Sequence, residues 1–463
     1  MHKPTHLARA LALAALLAPV AWAATPTATM GMSTTPGTTQ AAPAATQSAL
    51  LARALSLADA TENQVIEWRR HIHANPELSY EEVNTARYIA EALGQMPGIE
   101  IQTGVAKTGI KAVLKGGKPG PVVALRADMD ALPVRENADF RFRSQVKAQW
   151  RGQETYVSHA CGHDTHVAML LGAAKALSEM RADLPGTVVF LFQPAEELGP
   201  GPVPSGAKAM MDAGVLDNPK VDVVMGQHIN AQAPSGSLRY RQGAMMASGD
   251  AFNITINGKG GHGSSPWTSN TPTLAAAEIV LGLQNIASHR LNPMDPDGPT
   301  VVTVGLLQSG NRVNILPDTA EIGGTVRSLS VRGQKIAHDQ IRLRAEKIAE
   351  SYGMTADVRI DTGYEVLKND PAATAAIVSA LKAAAGPDKA TEMPPTMGSE
   401  DFGSFGSTGV PVVFWNLNAS PNGDKPGAPN HSTDFAIDES ALRIGTRALT
   451  GATIAQLESR QAR

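Results

Sequence analysis

The sequence predicts an α/β protein: a larger domain with a mostly parallel central sheet flanked by helices, and a smaller ferredoxin-like α+β domain inserted into it. Three observations carry this expectation. Short continuous apolar runs at 122–126, 187–192 and 221–226 are separated by stretches of helical pattern, as in strands buried on both faces of a sheet. Between about 251 and 361 the rhythm becomes strand, helix, strand, strand, helix, strand, the order of a split βαβ domain. The first rhythm then resumes, so the middle segment reads as an insertion.

Taken in order, the N-terminus has Lys3 and Arg9, an apolar run over 11–20 and then Ala21-Trp22-Ala23, the three regions of a secretory signal peptide cleaved after Ala23. The run falls well short of the roughly 20 residues that span a bilayer. Residues 24–47 are nearly all small or polar, too poor in large apolar side chains to offset ordering entropy, and read as a disordered linker. Helices are expected at 60–73 and 81–93, strand 122–126, helix 165–180, then strands 187–192 and 221–226. The insert follows with strand 252–257, helix 272–289, strands 300–308 and 319–327, helix 332–352 and strand 355–361. A helix at 371–385, a strand at 410–416 and a last helix near 440–458 complete the chain. The domain boundaries are therefore 1–23, 24–47, 48–248 with 363–463, and 249–362.

The chain has 463 residues, 43% hydrophobic and 18% charged, ample for two cores. Its formal net charge of −3 has both signs interspersed, so there is no basic field for nucleic acid or a membrane surface. One cysteine, Cys161, excludes an internal disulfide despite the expected export to the periplasm or medium.

Polar clusters stand just past the strand ends, where open α/β sheets place their sites. Asp128 and Asp130 follow 122–126, Glu196 and Glu197 follow 187–192, His228 follows 221–226, and His431 lies in the loop after 410–416. The densest cluster, His159-Ala160-Cys161-Gly162-His163-Asp164-Thr165-His166, opens a helix. Thiolate and neutral imidazole suit borderline-soft divalent metals, and Gly162 allows both neighbours to turn toward one ion. Alone, Cys161 reads equally well as a buried hydrophobe; His163 beside it favours metal. His159 and His166 read as capping or packing residues. The adjacent Glu196 and Glu197 point different ways, so one carboxylate can bind metal while the other faces the attacking water.

Five motifs in this order resemble the metallopeptidase family of aminoacylases and carboxypeptidases, in its amidohydrolase branch with hippurate hydrolases and indole-acetyl-amino-acid hydrolases. They are His71-Ile72-His73-Ala74-Asn75-Pro76-Glu77-Leu78, Arg126-Ala127-Asp128-Met129-Asp130, Cys161-Gly162-His163-Asp164, Gln193-Pro194-Ala195-Glu196-Glu197 and Gly398-Ser399-Glu400-Asp401-Phe402. The resemblance runs from about 66 to 457. It implies two divalent metal ions per subunit (zinc, manganese, cobalt or nickel) on Cys161, His163, Glu197, His228 and His431. Glu196 matches the general base, and Asp130 an aspartate that orients a metal ligand. The wider clan has a histidine two residues before that aspartate, where this chain has Asp128. The resemblance also implies that the insert is a lid and dimerisation surface. It assigns oxyanion stabilisation to His262, often across the subunit interface, and substrate contacts to Asn314 and Arg327, the last gripping a carboxylate.

The expected activity is hydrolysis of the amide bond of N-acyl or N-aroyl amino acids by a homodimer. A periplasmic metallo-carboxypeptidase or dipeptidase is the nearest alternative. A non-catalytic metal- or ligand-binding protein is a third, against which Glu196 speaks, because metal binding alone has no need of it.

Overall fold

A computed structural model describes residues 48–197 and 203–461. The expected signal peptide and linker lie outside them. Among the described residues no helix is long and apolar enough to cross a membrane.

Eight strands form the large sheet in the order Ile99–Val105, Gly109–Lys115, Pro185–Gln193, Lys118–Asp128, Val223–Asn230, Val412–Asn418, Ser237–Tyr240 and Ala390–Glu392. The middle four are mutually parallel, whereas Gly109–Lys115 and Ser237–Tyr240 join them antiparallel. The parallel strands are nearly continuous Val, Leu and Phe because helices cover both faces. Helix His163–Glu179 is buried along almost its whole length between the sheet and helices Glu62–Ala74 and Ala441–Gln461. Its Gly172 admits Val65 and Thr446 so closely that a methyl group would overlap them.

The insert is a four-stranded antiparallel sheet in the order Thr300–Ser309, Thr319–Ser328, Ser248–Asn257 and Thr355–Tyr364. Helices Thr273–His289 and Val331–Ser351 pack on it through a separate core that includes Phe252, Ile254, Ile279, Leu283 and Ile341. Strand Ser248–Asn257 alternates buried and half-covered positions, the period-2 pattern of a sheet with one face on helices.

Three differences from the sequence reading have physical causes. Helix Ala49–Ala60 precedes the first expected helix; it is capped by Ser48 and separated from Glu62–Ala74 only by Thr61. The antiparallel strands Ile99–Val105 and Gly109–Lys115 escaped notice because the outer one is exposed along its middle and lacks a continuous apolar run. His228 lies within a strand rather than after one. The polar residues Gln227, His228 and Asn230 end the apolar run, yet their backbone still pairs with Val412–Asn418.

Candidate metal centre and active site

The parallel strands end together, and the site is assembled on that edge: Asp128 pairs in register with Gln193, and His228 with Asn416. Gly162 turns the chain into helix His163–Glu179 with φ of 90°, a left-handed conformation that glycine adopts without a steric penalty. Cys161 and His163 on either side thereby face one space.

His163 Nδ1 lies 2.9 Å from the Asp130 carbonyl and 3.2 Å from its carboxylate, so that nitrogen carries a hydrogen and Nε2 is the one that a metal would take on losing its proton. Nε2 is buried without a hydrogen-bond partner, 3.6 Å from Asp128 and 3.9 Å from Glu196. His228 follows the same logic: Nδ1 donates to the Ile229 carbonyl at 2.7 Å, and Nε2 lies 3.4 Å from Cys161 Sγ. His431 Nε2 is 3.3 Å from Sγ and 2.8 Å from Glu197 Oε1. Its own backbone is left-handed (φ 68°) and is held by an N–H bond to Ala160 O.

Ligand atoms of Cys161, His163 and His228, of Cys161, Glu197 and His431, and of His163, Glu196 and Glu197 each lie within 4.8 Å of one another. An orphaned imidazole nitrogen, a shared thiol and converging carboxylates are the donors a pair of borderline-soft divalent ions requires. The five ligands inferred from sequence are therefore brought together. Asp130 also accepts from the backbone of Glu196 and Glu197, at 3.1 and 3.0 Å.

Asp128, His163 and His166 also approach one another, but both His166 nitrogens are engaged, one by Asp128 at 2.5 Å and the other by the Ile229 N–H at 2.8 Å. His166 is thus a packed structural residue. His159 is fully buried, and burial drives its pKa down to about 3, so it stays neutral.

Negative charge is concentrated here. Arg126, fully buried, is the hub that balances it, bonding Asp128, Glu400 and Asp401 at 2.9 Å and Gln193 at 2.8 Å. Burial, then Glu400 and Glu197, push the Glu196 carboxyl well above the ordinary range. Burial alone would lower His163, but Asp128 and Asp130 raise it to about 10. Bound cations would relieve this excess of negative charge.

A cavity of about 650 Å³ opens onto Cys161, Glu196, Glu197, His228 and His431. Arg327 lines it, its guanidinium bonded to Ser399. His262 and Asn314 do not line it within one chain: they stand exposed where the short strands Gly261–His262 and Ile315–Leu316 pair. Sequence reasoning assigned no role to Tyr364, Asn416, Asn430, Met246 and Met397, which also line the cavity. They have no local signature. The buried pairing of Asp164 with Arg69 and His73, each at 2.8 Å, and of His73 with Glu136 at 2.7 Å, was equally hidden.

Similar proteins align with most of the chain. The chain is 40% identical over 391 residues to thermostable carboxypeptidase 2 of Saccharolobus solfataricus, covering 84% of this chain and 94% of that one. It is 41% identical over 313 residues to an N-acyl-L-amino acid amidohydrolase of Geobacillus stearothermophilus, covering 68% and 80%. Among solved structures, a dinuclear metal-binding peptidase of the M20 family from Bacillus subtilis superposes with a TM-score of 0.71 at 33% identity, over 86% of this chain and 99% of that one. The model of peptidase family M20/M25/M40 matches residues 124–454, and the chain belongs to that family.

Proposed function

We propose that the protein is a dinuclear metal amidohydrolase that cleaves N-acyl or N-aroyl amino acids, with Glu196 as general base. The observation that carries this reading is the pairing of Glu196 and Glu197. One carboxylate lies 2.8 Å from His431 among the metal-binding side chains, while the other is buried in the cavity within 3.9 Å of His163 Nε2. Two divalent ions held by Cys161, His163, Glu197, His228 and His431 would supply Lewis acidity and a nucleophile at neutral pH.

The chain's own groups do the rest. Glu196 acts as the carboxylate, with a proton affinity raised by burial and its anionic neighbours: it takes a proton from the attacking water and, now protonated, delivers that proton to the leaving amine. Asp130 fixes the His163 ring and the backbone of both glutamates. Arg327 faces the cavity with a guanidinium whose fork matches an α-carboxylate. Glu196→Gln preserves shape and removes the base. Turnover should fall by at least the ~10²-fold typical of a general acid–base group while metal content is kept; wild-type turnover would refute the mechanism.

A carboxypeptidase or dipeptidase reading is favoured by the likeness to a thermostable carboxypeptidase. Comparing kcat/KM on N-acetyl and N-benzoyl amino acids with that on dipeptides separates the two. Homodimerisation through the insert is part of the proposal. Leu281, Leu306, Leu307, Val313 and Ile315 are exposed on the insert, Ile315 in register with His262, and a partner subunit would both cover them and receive that histidine. Export rests on the N-terminal pattern alone.

A further inference from the structure

The turn that presents Glu196 and Glu197 is bound at each backbone polar group from Ala195 N to Glu197 N. Ala195 has φ of 48°, a left-handed conformation that costs a non-glycine residue energy and persists only where its surroundings enforce it. Its N–H donates to Glu82 at 2.9 Å, and its carbonyl accepts from Gly206 N at 2.9 Å. The next two N–H groups go to Asp130. The remaining group, the Glu196 carbonyl, accepts from the Tyr364 hydroxyl at 2.7 Å.

The first four contacts come from the layers around the large sheet. Tyr364 comes from the other body, as the last residue of strand Thr355–Tyr364 in the four-stranded sheet. In that sheet Gly249, on the central strand, pairs with Arg327 on one side and with Tyr364 on the other. The two side chains thus leave one row of the sheet, and both line the cavity. Gly249 keeps the row tight: a Cβ there would lie 2.8 Å from Ser399 Oγ and 3.0 Å from the Arg327 guanidinium. Burial and the neighbouring Glu196 push the Tyr364 ionisation upward, so its hydroxyl stays a donor throughout the working pH range.

We propose that Tyr364 is a positioning residue that ties the Arg327 row of the insert to the peptide plane between Glu196 and Glu197, so that a substrate carboxylate held by Arg327 aligns the base. The proposal rests on Glu196 being that base. It makes carboxylate recognition a contribution to kcat as well as to binding, because the anchor and the base share a connected, hydrogen-bonded frame. Without the hydroxyl, Arg327 still binds, but the peptide plane is held only through the Glu197 N–H on Asp130 and loses its link to the insert.

The test is a double-substitution cycle of Tyr364→Phe and Arg327→Ala on the metal-loaded enzyme, with an N-acyl amino acid and its carboxamide as substrates. Phe keeps the ring packing and deletes only the donor. Tyr364→Phe should lower kcat on the acid roughly 5- to 20-fold, the effect of one well-placed hydrogen bond, with KM within about twofold. In the Arg327→Ala background, and on the carboxamide, the same change should cost no more than about twofold, since nothing then loads the row. A kcat within twofold of wild type in Tyr364→Phe overturns the proposal, as does an equal loss in both backgrounds. Glu196→Gln assayed alongside separates the failures: wild-type turnover there removes the base itself, whereas an inactive Glu196→Gln with an unaffected Tyr364→Phe removes only the coupling.

Discussion

Replacing Gly162 by alanine tests how the metal-binding cluster is built. The new Cβ would lie 2.4 Å from Ile229 Cγ2 and 3.3 Å from the Phe435 ring, both buried, so neither neighbour can swing into solvent. A left-handed φ costs an alanine ~1–2 kcal/mol, and overpacking a closed core adds ~1–3 kcal/mol. The expected destabilisation is thus about 2–5 kcal/mol. With an unfolding entropy of roughly 2.1 cal/mol/K per residue, a chain of this size loses about 1 °C per kcal/mol, so the thermal midpoint should fall by ~2–5 °C. The local effect is larger in consequence. Ile229 adjoins His228 and its N–H holds His166, so moving it displaces His228 while the strained turn displaces Cys161 and His163. Thermal unfolding followed by circular dichroism, with the metal-to-protein ratio measured after dialysis, reads both. A midpoint within about 1 °C of wild type together with full metal retention would show that the turn does not set the ligand geometry.

Three further outcomes are expected. Arg327→Ala should mainly raise KM, and more for substrates with a free α-carboxylate than for their amides; an equal change on both would deny it the anchor role. His262→Ala should lower kcat by roughly the hundredfold or more typical of a lost oxyanion donor, and mixing it with Glu196→Gln protein should restore part of the activity if the histidine acts across a dimer. Absence of any complementation would confine His262 to its own chain. In the metal-free chain His163 keeps its proton up to about 10, because Asp128 and Asp130 outweigh the burial that lowers it. That proton must leave before Nε2 can bind a cation, so metal uptake at pH 7–8 should release protons to an indicator dye, and apparent affinity should fall as the pH is lowered. Uptake without proton release would count against His163 as a ligand.

Much of this architecture is legible in the chain because its causes are local. Parallel strands buried on both faces must be continuously apolar, as 187–192 is, and half-covered strands must alternate, as 252–257 does. Helix ends carry their caps beside them, Ser330 before Val331–Ser351 and Asp370 before Pro371–Ala385. Candidate ligands showed locally only where Cys161 and His163 flank a glycine and where Glu196 adjoins Glu197; the full set, with the isolated His228 and His431, came from the family resemblance. Edge strands such as Ile99–Val105 were not legible, since exposure removes the apolar run that marks a buried strand.

The pairings that surround those candidate ligands depend on contacts across long stretches of chain. Arg126 meets Glu400 and Asp401 across 274 and 275 positions, and Tyr364 meets Glu196 across 168. No periodicity or spacing encodes such contacts, because a hydrogen bond or ion pair reports only the final distance between two groups. His166 makes the same point: nothing in its neighbourhood distinguishes it from His163, and it is excluded as a ligand because Asp128 and the Ile229 N–H occupy both its nitrogens. The chemistry available at each position is a property of the side chain itself, whereas which lone pairs remain free for a metal or a substrate depends on every neighbour the fold brings within reach.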